Sequence, residues 1–470
     1  MNDKSGVFRV DPETDEAVRG ALVTRDGKMV WPLPPLPKAA EAPKAAAPKP
    51  AEKAAAPAPV AAPPPSTLSA GPSESTAALL KTLKEAVIVT LFLASLLALG
   101  ASNPSAAQLG LVTTFILACI VGFQVVAGVA PALHSPLMSV TNAVSGMTAL
   151  GGLQVMSGRY LPAEWTGALA AAAVLLSAVN VAGGFVMTGR MLSMFSRPTD
   201  PPPYTVLFGL PLVASLAGYA YLVVQGLAPP ALHAAAGLAS ALCCIGAIGG
   251  LASQKTARAA NALGVIGVTL GVATTLGALA PELSRELLIQ MGGTLAIGGL
   301  AGVAVATRCA ITDLPQLVAA FHSLVGLAAA ATGVVSFVAH PGQATLAVWA
   351  GVLIGAMTFT GSVVAFAKLN GTLSSKPLAL PQKNLVNAAL FAGCLVCLVP
   401  MMSASASASA GLTALGITAG LAALLGAHMT TAIGGADGAF ALWISRHACA
   451  LLTARYIHSA TLQFRWSSLC

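Results

Sequence analysis

From Val87 to Asp437 the chain is a succession of apolar stretches about 20 residues long, each closed by a short polar turn. That is the length an α-helix needs to span about 30 Å of hydrocarbon. The pattern predicts twelve spans, at 84–101, 107–129, 136–156, 164–190, 204–225, 230–252, 258–280, 289–308, 314–338, 343–367, 384–402 and 409–433. They are rich in Gly and Ala, which let helix backbones approach closely. The expected fold is an all-α, polytopic transmembrane helical bundle of about 12 spans, preceded by a disordered Pro/Ala-rich linker.

Composition excludes a soluble core. The chain is 56% hydrophobic and 9% charged, whereas soluble domains carry roughly 25% charged residues. Charge placement then divides the chain into regions. Ten of the sixteen carboxylates and eleven of the twenty-four Lys and Arg precede Val87. Residues 1–33 are polar and acidic, without a visible transit or secretory signal. Residues 34–76 are Pro/Ala/Lys-rich, part of a linker running to 83, and read as an extended tether. Residues 84–437 hold the predicted spans, and 438–470 mix aromatics with Arg446, His447, Arg455, His458 and Arg465 without forming a clean span.

The loop charges orient the bundle. With alternating loops, one side receives Arg190, Arg197, Lys255, Arg258, Arg308, Lys368, Lys376 and Lys383, and the other only Arg159 and Arg285. The basic side faces the cytoplasm or matrix. The net charge of +8 sits in the linker and short loops, so no nucleic-acid partner is implied. The cysteines suggest packing rather than disulfides, and Cys394-x-x-Cys397 lacks a thioredoxin-like context. No metal-ligand spacing stands out.

Ionisable groups inside a membrane are functional candidates by default. The predicted spans hold no carboxylate at mid-depth, which argues against a carboxylate-based proton or sodium site. His322 is the best-placed titratable group, eight residues into its helix, or about 12 Å at 1.5 Å per residue. Its ordinary pKa near neutrality lets it gain and lose a proton at modest cost. The bland alternative is a buried histidine hydrogen-bonded for structure. His134 lies in a turn beside a helix whose Ser139, Asn142 and Ser145 share one face, as a water path or as interhelical glue. Asn180 and the run Thr358, Thr360, Ser362 read as structural hydrogen bonding, and His233 and His340 as helix-end positions. The glycine-rich GGFVMTG at 183–189 follows no strand and is not a dinucleotide fingerprint.

Several ordered segments resemble the proton-translocating NAD(P) transhydrogenases, in the single-chain mitochondrial-type form. They are VAPALHSPLMSVTNAVSGMTALGGL at 129–153, SAVNVAGGFVMTGRMLSMFSRPTDPPPY at 177–204, SQKTARAANALGVIGV at 253–268, ITDLPQLVAAFHSLVGLAAA at 311–330, FTGSVVAFAKLNG at 359–371, SSKPLALP at 374–381 and IGGAD at 433–437. Residues 1–33 are similar to the end of the family's NAD(H)-binding domain. The resemblance implies a proton-conducting membrane domain that couples proton flow to hydride transfer from NADH to NADP+. NAD and NADP would be bound by domains absent from this sequence, and none by this chain directly. It implies His322 and His134, with Asn142, on the proton path, and Asp437 in coupling to the NADP(H)-binding domain. Expected partners are the lipid bilayer, protons, both nucleotide-binding domains and a second copy of the chain as a homodimer. The inner mitochondrial membrane is the expected location, with a bacterial cytoplasmic membrane as the alternative.

After Asp437 the resemblance stops, and Arg446 stands where the family has an asparagine. The reading expects an altered reading frame or an unspliced segment there, and a chain inactive by itself. Rival readings are a secondary transporter of a small solute, with its substrate near His134 and Asn142, and a truncated non-catalytic remnant.

Overall fold

The computed structural model describes residues 131–196, 204–340, 345–378, 382–402 and 407–433, with scattered positions between 24 and 129. The chain divides into two compact units, Met1–Glu85 and Ala86–Cys470. In the first, β1 (Thr24–Arg25) and β2 (Lys28–Met29) form a short antiparallel ladder. The tether at 34–76, Asp437 and the tail 438–470 lie outside the described residues, as do most of the expected spans 84–101 and 107–129.

The second unit is helical. In order come α1 (His134–Ser145), α2 (Thr148–Val155), α3 (Trp165–Ser193), α4 (Gly209–Val224), α5 (Pro230–Gly250), α6 (Gln254–Leu279), α7 (Arg285–Arg308), α8 (Leu314–Ala339), α9 (Thr345–Leu369), α10 (Lys383–Met402) and α11 (Ala408–Thr431). Among the described residues, nine helices are long and apolar enough to cross a membrane. A spanning helix keeps every backbone hydrogen bond within itself, which is why apolar runs in lipid become helices. Two start earlier than hydropathy predicts. Ser253 accepts the Lys255 N–H and Ser284 accepts the Leu287 N–H, so α6 and α7 each begin with a polar turn.

The expected single span 136–156 is instead two helices. The chain tightens at Gly146 and Met147, where the Met147 N–H reaches the Val144 carbonyl and the Ala149 N–H reaches Gly146. A side chain at Gly146 would collide with the Ser177 carbonyl of α3 at 2.9 Å. Hydropathy carries no trace of such a break, because no charged residue or proline interrupts the run between the two halves.

Helices α3 and α8 form the centre. Of their most apolar segments 56% and 67% is buried, against 6% for α4 and 11% for α10, which present their surfaces outward. Helices α3 and α7 run parallel, with Gly298 against Leu175 and Gly302 against Val179. Helices α8 and α9 run antiparallel, and here glycine is required on both sides. A Cβ at Gly355 would sit 2.6 Å from Ala330 N and 2.7 Å from Gly326 O, and one at Gly326 would sit 2.6 Å from Phe359 N. These are backbone atoms and cannot swing aside.

Gly355→Val is therefore expected to lower stability by about 1–3 kcal/mol or more, the usual cost of overpacking. Thermal unfolding of the purified protein, followed by a thiol-reactive dye at the buried Cys394, measures it. An unchanged midpoint would show that the two helices separate freely.

Candidate functional site in the helical core

Three helices meet at Gly183 and Gly184 of α3. The Phe321 ring of α8 lies on Gly183, and the Ala143 backbone of α1 lies on Gly184, where a Cβ would be 2.8 Å from Ala143 N. The glycine-rich segment 183–189 thus serves helix packing. The residues next to those contacts are His322 and Asn142, so the packing that joins the helices brings both to one level.

His322 is 3% exposed. Its Nδ1 lies 2.7 Å from Ser362 Oγ of α9. Asn142 is fully buried, and its Nδ2 donates to the Val318 carbonyl at 2.9 Å. Val318 precedes His322 by four residues, so this carbonyl is the one to which the His322 N–H points in helical geometry. Asn142 thereby engages the very turn of α8 that carries the histidine. His134, at the start of α1, is eight residues from Asn142, about 12 Å along the helix axis. Beside it, the Ser135 hydroxyl points at Met191 Sδ, 3.6 Å away. The structure brings Asn142 to the His322 level and leaves His134 toward the end of the bundle. Asp437 lies outside the described residues.

The polar stripe on α1 divides. Ser139 donates across to the Gly184 carbonyl at 3.0 Å, whereas Ser145 turns back to the Asn142 carbonyl at 2.8 Å. Nearby, Thr148 and Ser177 hydroxyls pair at 2.7 Å. Of the α9 run, Thr360 donates to Ala423 O at 2.7 Å, while Ser362 is the partner of His322. That role was hidden in the sequence, where Ser362 was one hydroxyl among three. Asn142 Oδ1, Asn180 Oδ1 and Thr358 Oγ1 are buried without a hydrogen-bond partner among the described residues. Such groups cost about 1–3 kcal/mol each when no partner meets them.

Other candidates resolve into structural roles. His233 is buried, with Nδ1 2.7 Å from the Tyr219 hydroxyl, so its place near a helix end does not describe it fully. Cys394 packs against α11, and Cys394 and Cys397 are both free thiols. No group of three His, Cys, Asp or Glu side chains converges among the described residues. No Asp or Glu among them is buried.

Two cations counted as loop charges are instead inside the bundle. Arg190, in the last turn of α3, donates to the carbonyls of Ala306 (2.5 Å) and Cys309 (2.8 Å) at the end of α7. Lys368, 4% exposed in the last turn of α9, donates to the carbonyls of Thr430 (3.1 Å), Thr431 (2.8 Å) and Ile433 (2.5 Å) at the end of α11. The last carbonyls of a helix have no partner within it and carry its negative dipole end. Each cation satisfies those of a neighbouring helix.

Comparison with known proteins gives consistent matches. The family described as "NAD(P) transhydrogenase beta subunit" matches residues 233–444. The family described as "4TM region of pyridine nucleotide transhydrogenase, mitoch" matches residues 111–197. NAD(P) transhydrogenase subunit beta of Rhodospirillum rubrum is 38% identical over 149 residues, 29% of this chain and 31% of that protein. NAD(P) transhydrogenase subunit alpha of Cereibacter sphaeroides is 38% identical over 195 residues, 41% of this chain and 34% of that protein. The chain thus spans about a third of the length of the curated relatives it matches. With its apolar helices, it is an integral, multi-pass membrane protein.

Asn142 gives a test of what the buried amide is for. It makes one hydrogen bond, to a carbonyl that the helix already uses, and holds one unpartnered oxygen. Asn142→Leu is therefore expected to stay within about 1 kcal/mol of the parent in thermal unfolding, since an apolar replacement also removes the orphaned acceptor. A loss of about 3 kcal/mol or more would make Asn142 a structural residue.

Proposed function

We propose a function from the premise that the chain belongs to the NAD(P) transhydrogenase family: residues 84–437 conduct protons through the membrane and couple that flow to hydride transfer from NADH to NADP+. The family uses NAD(P) in the complete enzyme. In this reading the nucleotides are held by domains or subunits that complement the chain, and residues 1–33 are the end of an NAD(H)-binding domain. The matching of both an alpha-subunit and a beta-subunit relative supports such partners.

The observation that carries the proposal is the His322–Ser362 pair at the level of Asn142, with unpartnered polar atoms beside it and no buried carboxylate among the described residues. A hydroxyl both donates and accepts. Ser362 can therefore give its hydrogen to an unprotonated His322 Nδ1, or turn and accept one from a protonated Nδ1. The pair keeps its hydrogen bond in both states, so the ring takes up and releases a proton without stranding a buried polar atom. Asn142 holds the turn of α8 beneath the ring in place, and its Oδ1 and that of Asn180 are buried acceptors without a partner among the described residues. His134 serves the end of this route on the basic side, and Asp437 transmits the change to the NADP(H)-binding domain. The chain works as one half of a homodimer. Alpha-like and beta-like segments joined in one chain through α4 favour the inner mitochondrial membrane.

The test reconstitutes the chain in proteoliposomes with complementary NAD(H)- and NADP(H)-binding subunits. His322→Ala is expected to lower proton-driven NADP+ reduction by about 10²-fold or more, the scale of removing a proton-transfer group. Nucleotide binding by the partner subunits should stay as in the parent. Retained proton-driven reduction would remove His322 from the proton path.

A further inference from the structure

Helix α9 joins two neighbouring helices through side chains near its C-terminal end. Ser362 holds His322 of α8, and six residues on, Lys368 holds the end of α11. The two are about 9 Å apart along one rigid helix. Six residues also turn the helix by about 240° at 3.6 residues per turn, so the same helix faces α8 with one residue and α11 with the other. Thr360, two residues before Ser362, also ties α9 to Ala423 of α11. The loop after α9 joins the same place: the Leu378 N–H reaches the Thr431 carbonyl at 2.9 Å, and Ser375 Oγ reaches the Lys368 carbonyl at 3.3 Å.

We propose that Lys368 is a positioning residue that makes the exit turn of α11 follow α9, so that hydrogen bonding at His322 and Ser362 reaches Thr430, Thr431 and Ile433. The significance of that exit rests on the proton-coupling reading above; the linkage itself does not. The ammonium has three hydrogens and meets three carbonyls, so it is fully used by the end of α11. Without it, Thr430, Thr431 and Ile433 lose their shared donor inside the bundle, and the final turn frays. That turn is otherwise held by the Leu378 N–H on Thr431 O at 2.9 Å, and by the Ala432 N–H on His428 O and the Ile433 N–H on Thr430 O, both 3.3 Å long. With Lys368 in place, the position of the Thr430–Ile433 turn is set by α9, the helix that also bears the histidine's partner. A two-mutation cycle measures this coupling directly.

The experiment uses the full chain in lipid nanodiscs and follows amide hydrogen exchange by mass spectrometry over residues 425–437. Lys368→Met is expected to speed exchange at Ala432 and Ile433 by about tenfold or more, with Lys368→Arg, which keeps a cationic donor, within about threefold of the parent. Ser362→Ala is expected to speed exchange at the same amides in the parent and to add nothing when Lys368→Met is already present. Exchange in α3 serves as the folding control. If Lys368→Met does not insert, Lys368→Gln takes its place, with an expected effect between those of Met and Arg. Unchanged exchange in the Met or Gln variant overturns the anchoring role. An absent or purely additive effect of Ser362→Ala overturns the link to His322. No nucleotide or proton flux enters these readouts, so failure of the proton-coupling assay leaves them standing, and their failure leaves that assay standing.

Discussion

Everything at the centre of this molecule depends on how closely α1 and α8 approach α3. Gly183 and Gly184 leave no side chain between the backbones, so Phe321 and Ala143 seat directly on α3. The next residues in sequence, His322 and Asn142, are then held at one depth by main-chain geometry. In lipid there is no hydrophobic force between helices, and association relies on packing and interhelical hydrogen bonds. The small residues are therefore the means by which polar side chains can meet at all. Asn142 reaches the Val318 carbonyl and Ser139 reaches the Gly184 carbonyl only because the axes are this near.

A second constraint acts at the ends of the helices. Helices α3 and α7 run parallel, as do α9 and α11, with Gly426 packed against Met357 O in the second pair. Parallel neighbours place their carbonyl-rich C-termini side by side, and those carbonyls have no intrahelical donors. Arg190 and Lys368 each cross from one member of a pair to the end of the other. The basic bias of this side of the bundle is thus partly internal structure. Two of its charges are turned onto the ends of neighbouring helices.

The helices were legible in the sequence because hydropathy reports burial in hydrocarbon, and nine of the expected spans recur with ends shifted by at most five residues. The shifts fall where serine caps admit a polar first turn, as at Ser253 and Ser284, which hydropathy counts as loop. The break at Gly146 was not legible, since it depends on which backbone lies opposite. The candidate site was legible in its titratable member. His322 stands alone as a mid-depth ionisable group, and that scarcity is itself a signal. Its partner was not, because Ser362 differs from Thr358 and Thr360 only in the direction it faces. Lys368 was misplaced for a related reason. A lysine near the end of an apolar run reads as a loop charge, and only a neighbouring helix end reveals that its ammonium is buried on carbonyls.

These arrangements divide the labour between rigid and adjustable contacts. The glycine contacts between α8 and α9 involve backbone on both sides and allow no alternative. A few residues along α9, the contacts become hydrogen bonds: Thr360 on Ala423, Ser362 on His322, Lys368 on the end of α11. Hydrogen bonds can exchange donor for acceptor, or part, at far lower cost than two backbones can interpenetrate. On the proposed proton-coupling reading, a change in protonation at His322 meets a helix that is fixed at Gly355 and held by hydrogen bonds from Thr360 onward. Such a change would travel along α9 because the helix is stiff in itself and Lys368 ties its far end to the last turn of α11.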